Sequence, residues 1–257
     1  MSTILRRFAI LAALATAALL LTPTLHAAAQ REVGTPESLL LDAANHSRAT
    51  AGLPPLHWDA SLANAARQHA LRMAQMNTLS HQLPGEVPVQ ERAMQTGARF
   101  SVISENVAEG NSVIGLHSQW MDSPPHRANL LDRDVNAVGI AVAQSGGLLF
   151  AVEDFAAVVP LLSLDTQEMQ VGAQLAARGF RLVNATLDAR KTCDTDRGWS
   201  GQRPASVLRY ETSDLSRLPG DVDQKLRGGN SRAAAVGACE AGGAMGFARY
   251  RIAIMLY

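Results

Sequence analysis

Two apolar runs, Ala137 to Ala143 and Leu148 to Ala156, flank the step Ser145-Gly146-Gly147. This is the feature that leaves the chain least freedom. Paired glycines between strand-like runs supply the positive φ values of a tight reversal, so the segment reads as an antiparallel hairpin. Helical patterns precede it. Thr35-Pro36 is an N-cap followed by proline at the first helical position, and that helix stops near Ala51 before Gly52 and Pro54-Pro55. Asp59 caps a second helix in which Leu62, Ala66, His69, Met73 and Met76 form one stripe. His69 lies within that stripe and reads as a packed core histidine. Leu79 to Glu109 reads as loop, apart from a helix near Val89 to Thr96. A third helix spans Ser112 to Met121, and Ser123-Pro124-Pro125 opens a short helical turn that holds His126. Helices followed by a late hairpin predict an α/β or α+β domain over residues 36–159.

Pro160 marks a boundary, and residues 160–257 read as a smaller accessory α+β domain. A helix near Thr166 to Arg178 ends at Gly179, a strand follows from Phe180 to Ala185, and a second hairpin lies between Ala233 and Tyr257. That hairpin repeats the first in outline. Ala137-Val138-Gly139-Ile140 corresponds to Ala235-Val236-Gly237-Ala238, and the turn glycines correspond to Gly242-Gly243. Either a duplication or similar turn chemistry alone accounts for the likeness.

The N-terminus predicts export. Arg6 and Arg7 precede an apolar run from Phe8 to Leu21, and small residues lead to Ala27-Ala28-Ala29. This order fits a cleavable signal peptide over residues 1–29, and the run falls short of the ~20 residues of a membrane-spanning helix. No later run approaches that length, so no transmembrane segment is expected after signal removal. The two cysteines, Cys193 and Cys239, predict a disulfide in an exported chain. Basic and acidic residues balance at 23 each, and only Lys191 and Lys225 are lysines. That balance, with no basic stripe, gives no support for a nucleic-acid partner.

Three polar residues have the chemistry of a site: His81, Glu105 and His126. Imidazole nitrogens and a carboxylate suit zinc, with the carboxylate as ligand or general base. Their spacing places no two on one helix, and there is no H-E-x-x-H. A hydrogen-bonded network that orders loops would use the same residue types. Trp58 and Trp120 read as core, Arg92 and Gly97 as loop structure, and Arg127 and Asn129 as braces of the His126 turn. The nucleophile elbow, the P-loop and S-x-x-K are all missing from the sequence.

A set of motifs from about Glu37 to Ala157 resembles the CAP superfamily in its bacterial secreted branch. These SCP-like proteins are related to cysteine-rich secretory proteins, antigen 5 and pathogenesis-related 1. The matching residues are Asn45 and Arg48, Gly52-Leu53-Pro54-Pro55-Leu56 with Trp58-Asp59, and Ser80-His81. They continue with Arg92 and Gly97, Glu105-Asn106-Val107-Ala108, Trp120 and Ser123-Pro124-Pro125-His126-Arg127-Ala128-Asn129-Leu130-Leu131. Val138-Gly139-Ile140 and Phe155 complete the series. The resemblance implies an α-β-α sandwich with a central cleft of two histidines and two acidic residues, in some members with a divalent metal. His81, Glu105 and His126 match those positions. The strand histidine of the eukaryotic members is replaced by Val138-Gly139-Ile140, which leaves Glu153 as the fourth candidate.

The expectation is a secreted CAP-domain protein, extracellular or periplasmic. Its cleft would bind Zn or another divalent metal through His81 and His126, a ligand, or both. Lipid, envelope glycan or a protein are the partner classes. A zinc-dependent hydrolase with Glu105 as general base and a structural envelope protein with an inert cleft are the alternatives.

Overall fold

The molecule is described here by a computed structural model covering residues 34–241 and 247–257. The predicted signal peptide and the Gly242-Gly243 turn lie outside the described residues. Helix α1 (Pro36–Thr50) begins where Thr35 Oγ1 accepts the Ser38 amide at 3.2 Å. After the short strand β1 (His57–Trp58), Asp59 Oδ1 accepts the Leu62 amide at 2.9 Å and starts α2 (Ala60–Met76). Both caps satisfy amides that the first turn of a helix leaves free. The chain continues through α3 (Val89–Gln95), β2 (Phe100–Gly110), α4 (Val113–Asp122), α5 (Pro124–Leu130), β3 (Ala137–Ser145) and β4 (Leu148–Val158).

The strands form one sheet in the order β1-β3-β4-β2, with β1 parallel to β3 and the other pairs antiparallel. The predicted hairpin closes at Ser145 opposite Leu148, with φ +56° at Gly146 and +87° at Gly147. Side chains alternate between two covered faces. Val138, Ile140, Ala151 and Phe155 pack with Leu40 of α1, Leu116 and Trp120 of α4 and Leu130 of α5. Val107, Ala141, Phe150 and Val152 pack with Ala66, Ala70 and Met73 of α2. Helices on both faces make the α-β-α sandwich, and each fully buried large apolar side chain contributes about 1.5–3 kcal/mol.

Gly139 sets the depth at which α2 sits on the sheet. A Cβ there would overlap Ala63 N and Leu62 C, which are helix backbone rather than movable side chain. Gly139→Ala should therefore cost about 3 kcal/mol or more, at the upper end for overpacking. Urea denaturation of the two proteins would show this as a lowered midpoint.

The remainder builds a second sheet within the same compact unit, Gly34–Tyr257. Its elements are α6 (Leu164–Ala177), β5 (Arg181–Leu182), α7 (Thr186–Cys193), β6 (Ser206–Thr212), α8 (Gly220–Gly228), β7 (Ala233–Cys239) and β8 (Tyr250–Leu256). Val171 and Leu175 of α6, with Val222 and Leu226 of α8, cover Val236, Ile252 and Ile254. The expected disulfide joins Cys193 to Cys239, with Cα atoms 5.7 Å apart. The fold is thus α+β, a sandwich followed by a smaller α+β part. No described helix is long and apolar enough to cross a membrane.

Three local expectations need correction. Glu105 lies in strand β2 rather than in a loop. The strand was hidden because Ser104, Glu105 and Asn106 interrupt its apolar alternation where it carries polar groups. Trp120 is fully buried, but Trp58 is 44% exposed. Trp58 belongs to a two-residue strand at the sheet edge, where no element covers it. The expected Phe180 to Ala185 strand shrinks to Arg181–Leu182, and α7, β6 and α8 fill the stretch between it and the second hairpin.

Candidate functional site

Glu105 projects from the middle of β2 toward α2, and its side chain is 3% exposed. A buried carboxylate requires partners on both oxygens. His81 Nδ1 donates to Oε1 at 2.8 Å, and Arg92 Nη2 donates to Oε2. Arg92, from α3, is as buried as Glu105 and also donates to the His81 carbonyl at 3.2 Å and the Val87 carbonyl at 3.3 Å. The loop after α2 is fastened by His69. Its Nε2 donates to the Ser80 carbonyl at 2.8 Å, and its Nδ1 lies 2.9 Å from the Glu86 carboxylate. Burial opposes ionisation of Glu86, but the Leu83 amide and His69 hold it below its ordinary value. His69 is therefore the core residue expected from the helix stripe, and it presents His81 by anchoring the backbone one residue earlier.

His126 arrives from the other layer. Asn106 Nδ2 donates to the His126 carbonyl at 3.0 Å, while Asn129 Nδ2 donates to Asn106 Oδ1 at 3.0 Å and to the Glu105 carbonyl at 3.2 Å. These bonds stitch α5 to β2. Arg127 closes the turn by donating to the Met121 carbonyl at 2.9 Å. The His126 ring is held at Nδ1 by Ser123 Oγ, 2.9 Å away. Because β2 is an edge strand, the ring can meet His81 past its open side, and the two ring centroids are 6.3 Å apart.

The two histidines are tuned in opposite directions. Hydrogen bonding to Glu105 raises the His81 pKa against the effect of burial. Burial, together with the charge of His81, lowers that of His126. At neutral pH the geometry therefore favours a neutral His126 facing a more readily protonated His81.

Glu153 does not join this cluster. In the β2–β4 register Asn106 faces Glu153 and Glu105 faces Asp154, so Glu153 points into the opposite layer. Asp154 is the acidic residue that shares the Glu105 face, next to Gly139 on β3. A shift of one residue reverses the face, which only the register reveals. Both carboxyls are completely buried, and neither has a hydrogen-bond partner among the described residues. Burial and then the Glu105 charge push Asp154 well up. Burial raises Glu153 to about 8.

Glu153 therefore stays protonated at neutral pH when folded, whereas the unfolded chain ionises it above about 4.5. Its folded pKa is the higher one. Stability present below about 4.5 is thus lost as the pH rises toward about 8. Glu153→Gln should flatten this part of the profile and gain about 3 kcal/mol near pH 7 relative to the parent, read from denaturation midpoints at pH 4.5, 6 and 7.5.

His81, Glu105 and His126, expected from the sequence, lie together in the fold, and Arg92, Asn106 and Asp154 join them without a local signal that marks them as site residues. Arg92 and Asn106 were visible within the family-like motifs, but pairing across elements was not. A cavity of about 580 Å3 lies elsewhere, between Asn136, Pro160, Gln174, Asp214 and Tyr250. The histidine cluster sits instead on an open rim of the sandwich, with the His81 side chain 59% exposed.

An α-β-α sandwich with a His–Glu–Arg network at the edge of its sheet defines a class, and comparison with known proteins gives that class a name. Residues 41–159 match the CAP family, the cysteine-rich secretory protein family, and this part of the chain is a CAP domain. Among curated relatives, the uncharacterized protein YkwD of Bacillus subtilis is 28% identical over 121 residues, 47% of each chain. The uncharacterized membrane protein YlbC of the same organism is 32% identical over 110 residues, 42% of this chain and 32% of that one. The chain therefore spans about half or less of these relatives' length. Among solved structures, an extracellular protein containing an SCP domain from Bacillus anthracis is 26% identical with a TM-score of 0.45, over 48% of this chain and 40% of that one.

Proposed function

We propose that His81, Glu105 and His126 form a cation-dependent binding site in an exported CAP-domain protein. The observation that carries this reading is the state of the two rings. Each Nδ1 is engaged, by Glu105 on one side and Ser123 on the other, and each Nε2 has no protein partner among the described residues. Fixing one imidazole nitrogen through a carboxylate or hydroxyl is how proteins orient the other toward a metal. The donor set fits zinc: two imidazoles would supply part of a tetrahedral shell, and a ligand or water the rest. No group of three or more His, Cys, Asp or Glu side chains among the described residues is arranged to hold a metal alone. The exogenous ligand thus becomes part of the site. When bound, the cation supplies a Lewis-acidic contact for an oxygen-bearing ligand on an envelope glycan, lipid or protein.

Glu105 serves this site as an orienting group. Both its oxygens are committed, to His81 and Arg92, so the general-base role of a hydrolase has less support than binding. The three-part N-terminus and the Cys193–Cys239 disulfide support work outside the cytoplasm.

The test is zinc uptake by the mature protein beside His81→Ala and His126→Ala. About one ion per chain, lost in both folded variants, is expected for a site built from two facing rings. Equal uptake by all three proteins, or none by the parent, would sink the reading. Proton competition provides a second check. The raised His81 must lose its proton before Nε2 can bind, so zinc affinity should fall steadily as pH drops through the His81 titration. Isothermal titration between pH 5.5 and 8 measures that slope.

A further inference from the structure

We infer that residues 160–257 are a second copy of the sandwich fold, one from which the polar site has been replaced. The topology carries the inference. The first sheet runs β1-β3-β4-β2 and the second β5-β7-β8-β6. In each, the first strand is parallel to its neighbour and the remaining pairs are antiparallel. The helices follow the same plan: α6 precedes β5 as α1 precedes β1, α7 follows β5 as α2 follows β1, and α8 lies between β6 and β7 as α4 lies between β2 and β3. They also occupy the same layers. The faces of Val236 and Ile254 are covered by α6 and α8, as those of Val138 and Phe155 are covered by α1 and α4. In both sheets the second helix takes the other face.

A glycine fixes the correspondence residue by residue. A Cβ at Gly237 would overlap Ala189 C and Arg190 N of α7, as one at Gly139 would overlap Leu62 C and Ala63 N of α2. Gly139 faces Asp154, which faces Glu105; Gly237 faces Ala253, which faces Arg209. Arg209 thus holds the place of Glu105, and Ala253 that of Asp154. Arg209 is spent on structure, donating to the Thr192 carbonyl at 3.1 Å and the Gly198 carbonyl at 2.6 Å. It holds the segment after α7 where the first copy continues its longer helix, α7 having 8 residues against 17 in α2. Three residues beyond Arg190 and two beyond Gly237 stand Cys193 and Cys239. The same steps from Ala63 and Gly139 reach Ala66 and Ala141, both buried members of one cluster in the first core. The disulfide therefore stands where the first copy has two buried alanines.

The experiment moves the bond between copies in the full mature chain. Cys193→Ala/Cys239→Ala is made first, then Ala66→Cys/Ala141→Cys is added to it. The inference expects the first variant to stay folded by circular dichroism, with a lowered melting midpoint. In the second, the introduced thiols should close a 66–141 link in non-reducing peptide maps. A register control, Ala66→Cys/Val142→Cys in the same background, should keep both thiols titratable, since Val142 faces the other layer. The inference is overturned if the first variant is unfolded at 25 °C, or if the relocated thiols remain free in a folded chain. It is equally overturned if the relocated variant fails to fold where the alanine variant folds, or if the control closes as readily. None of these readouts depends on zinc, so the proposed cation site stands or falls separately.

Discussion

Arg92→Leu should destabilise the protein by about 3–5 kcal/mol, the range observed when one partner of a buried ion pair is removed. Arg92 and Glu105 side chains are 4% and 3% exposed, so water cannot replace the lost guanidinium. Three acidic groups surround the position: Glu105 in direct contact, Glu86 at 4.0 Å, and Asp154 close enough to be affected by the Arg92 charge. Leucine would leave Glu105 with His81 alone and return two carbonyls, of His81 and Val87, without a donor. Guanidinium denaturation gives the number. The double variant Arg92→Leu/Glu105→Gln separates causes, because it removes both charges together. It should recover much of the loss if uncompensated charge is the main cost. A double variant no more stable than Arg92→Leu would instead show that the loop lost its carbonyl anchors. Either way the position of His81 rests on this arginine, since the Glu105 oxygen opposite the one Arg92 holds is the one that orients the His81 ring.

Cys193→Ala/Cys239→Ala should cost about 4 kcal/mol at 25 °C, from the entropy that a closed loop of this size removes from the unfolded chain. The cysteines are 46 residues apart, and the loop encloses α7's C-terminus, β6, α8 and β7. The surroundings favour a loss of that size without collapse of the fold. Cys193 and Cys239 are buried beside Ala253, and the neighbouring Ala189, Ala235 and Met255 pack without them. Reducing the parent should reproduce the effect once the bond is accessible. Thermal melts of parent, reduced parent and variant would then converge for the latter two. A loss below about 1 kcal/mol would mean that the reduced unfolded chain already holds this region together.

Arg92 and the disulfide differ in how far the sequence reveals them. The disulfide could be read from the cysteine count and the signal-peptide-like pattern of the N-terminus. The arginine could not: the helix near Val89 to Thr96 is legible, but nothing local in it shows that Arg92 is buried against Glu105, a residue of another element. The same contrast runs through the sandwich. Caps at Thr35, Asp59 and Ser112 and the Gly146-Gly147 reversal act over three or four residues, so local chemistry suffices to place the helices and hairpin. Strand β2 was missed because its middle carries the site, and burying Glu105 and Asn106 erased the apolar pattern that marks a strand.

The sequence by itself determined the helices of the first sandwich, its hairpin, the disulfide and three polar groups that meet at the sandwich rim. Each of these follows from side-chain chemistry acting on near neighbours or from motifs contiguous in the chain. Only the tertiary structure decided that Asp154 rather than Glu153 shares the face of Glu105, that Arg92 neutralises it, and that His69 anchors the loop bearing His81. Only there does Arg209 fall in the place of Glu105. Strand register is the physical reason. It is set by pairing between segments tens of residues apart, and one step along a strand exchanges a buried network for the opposite core.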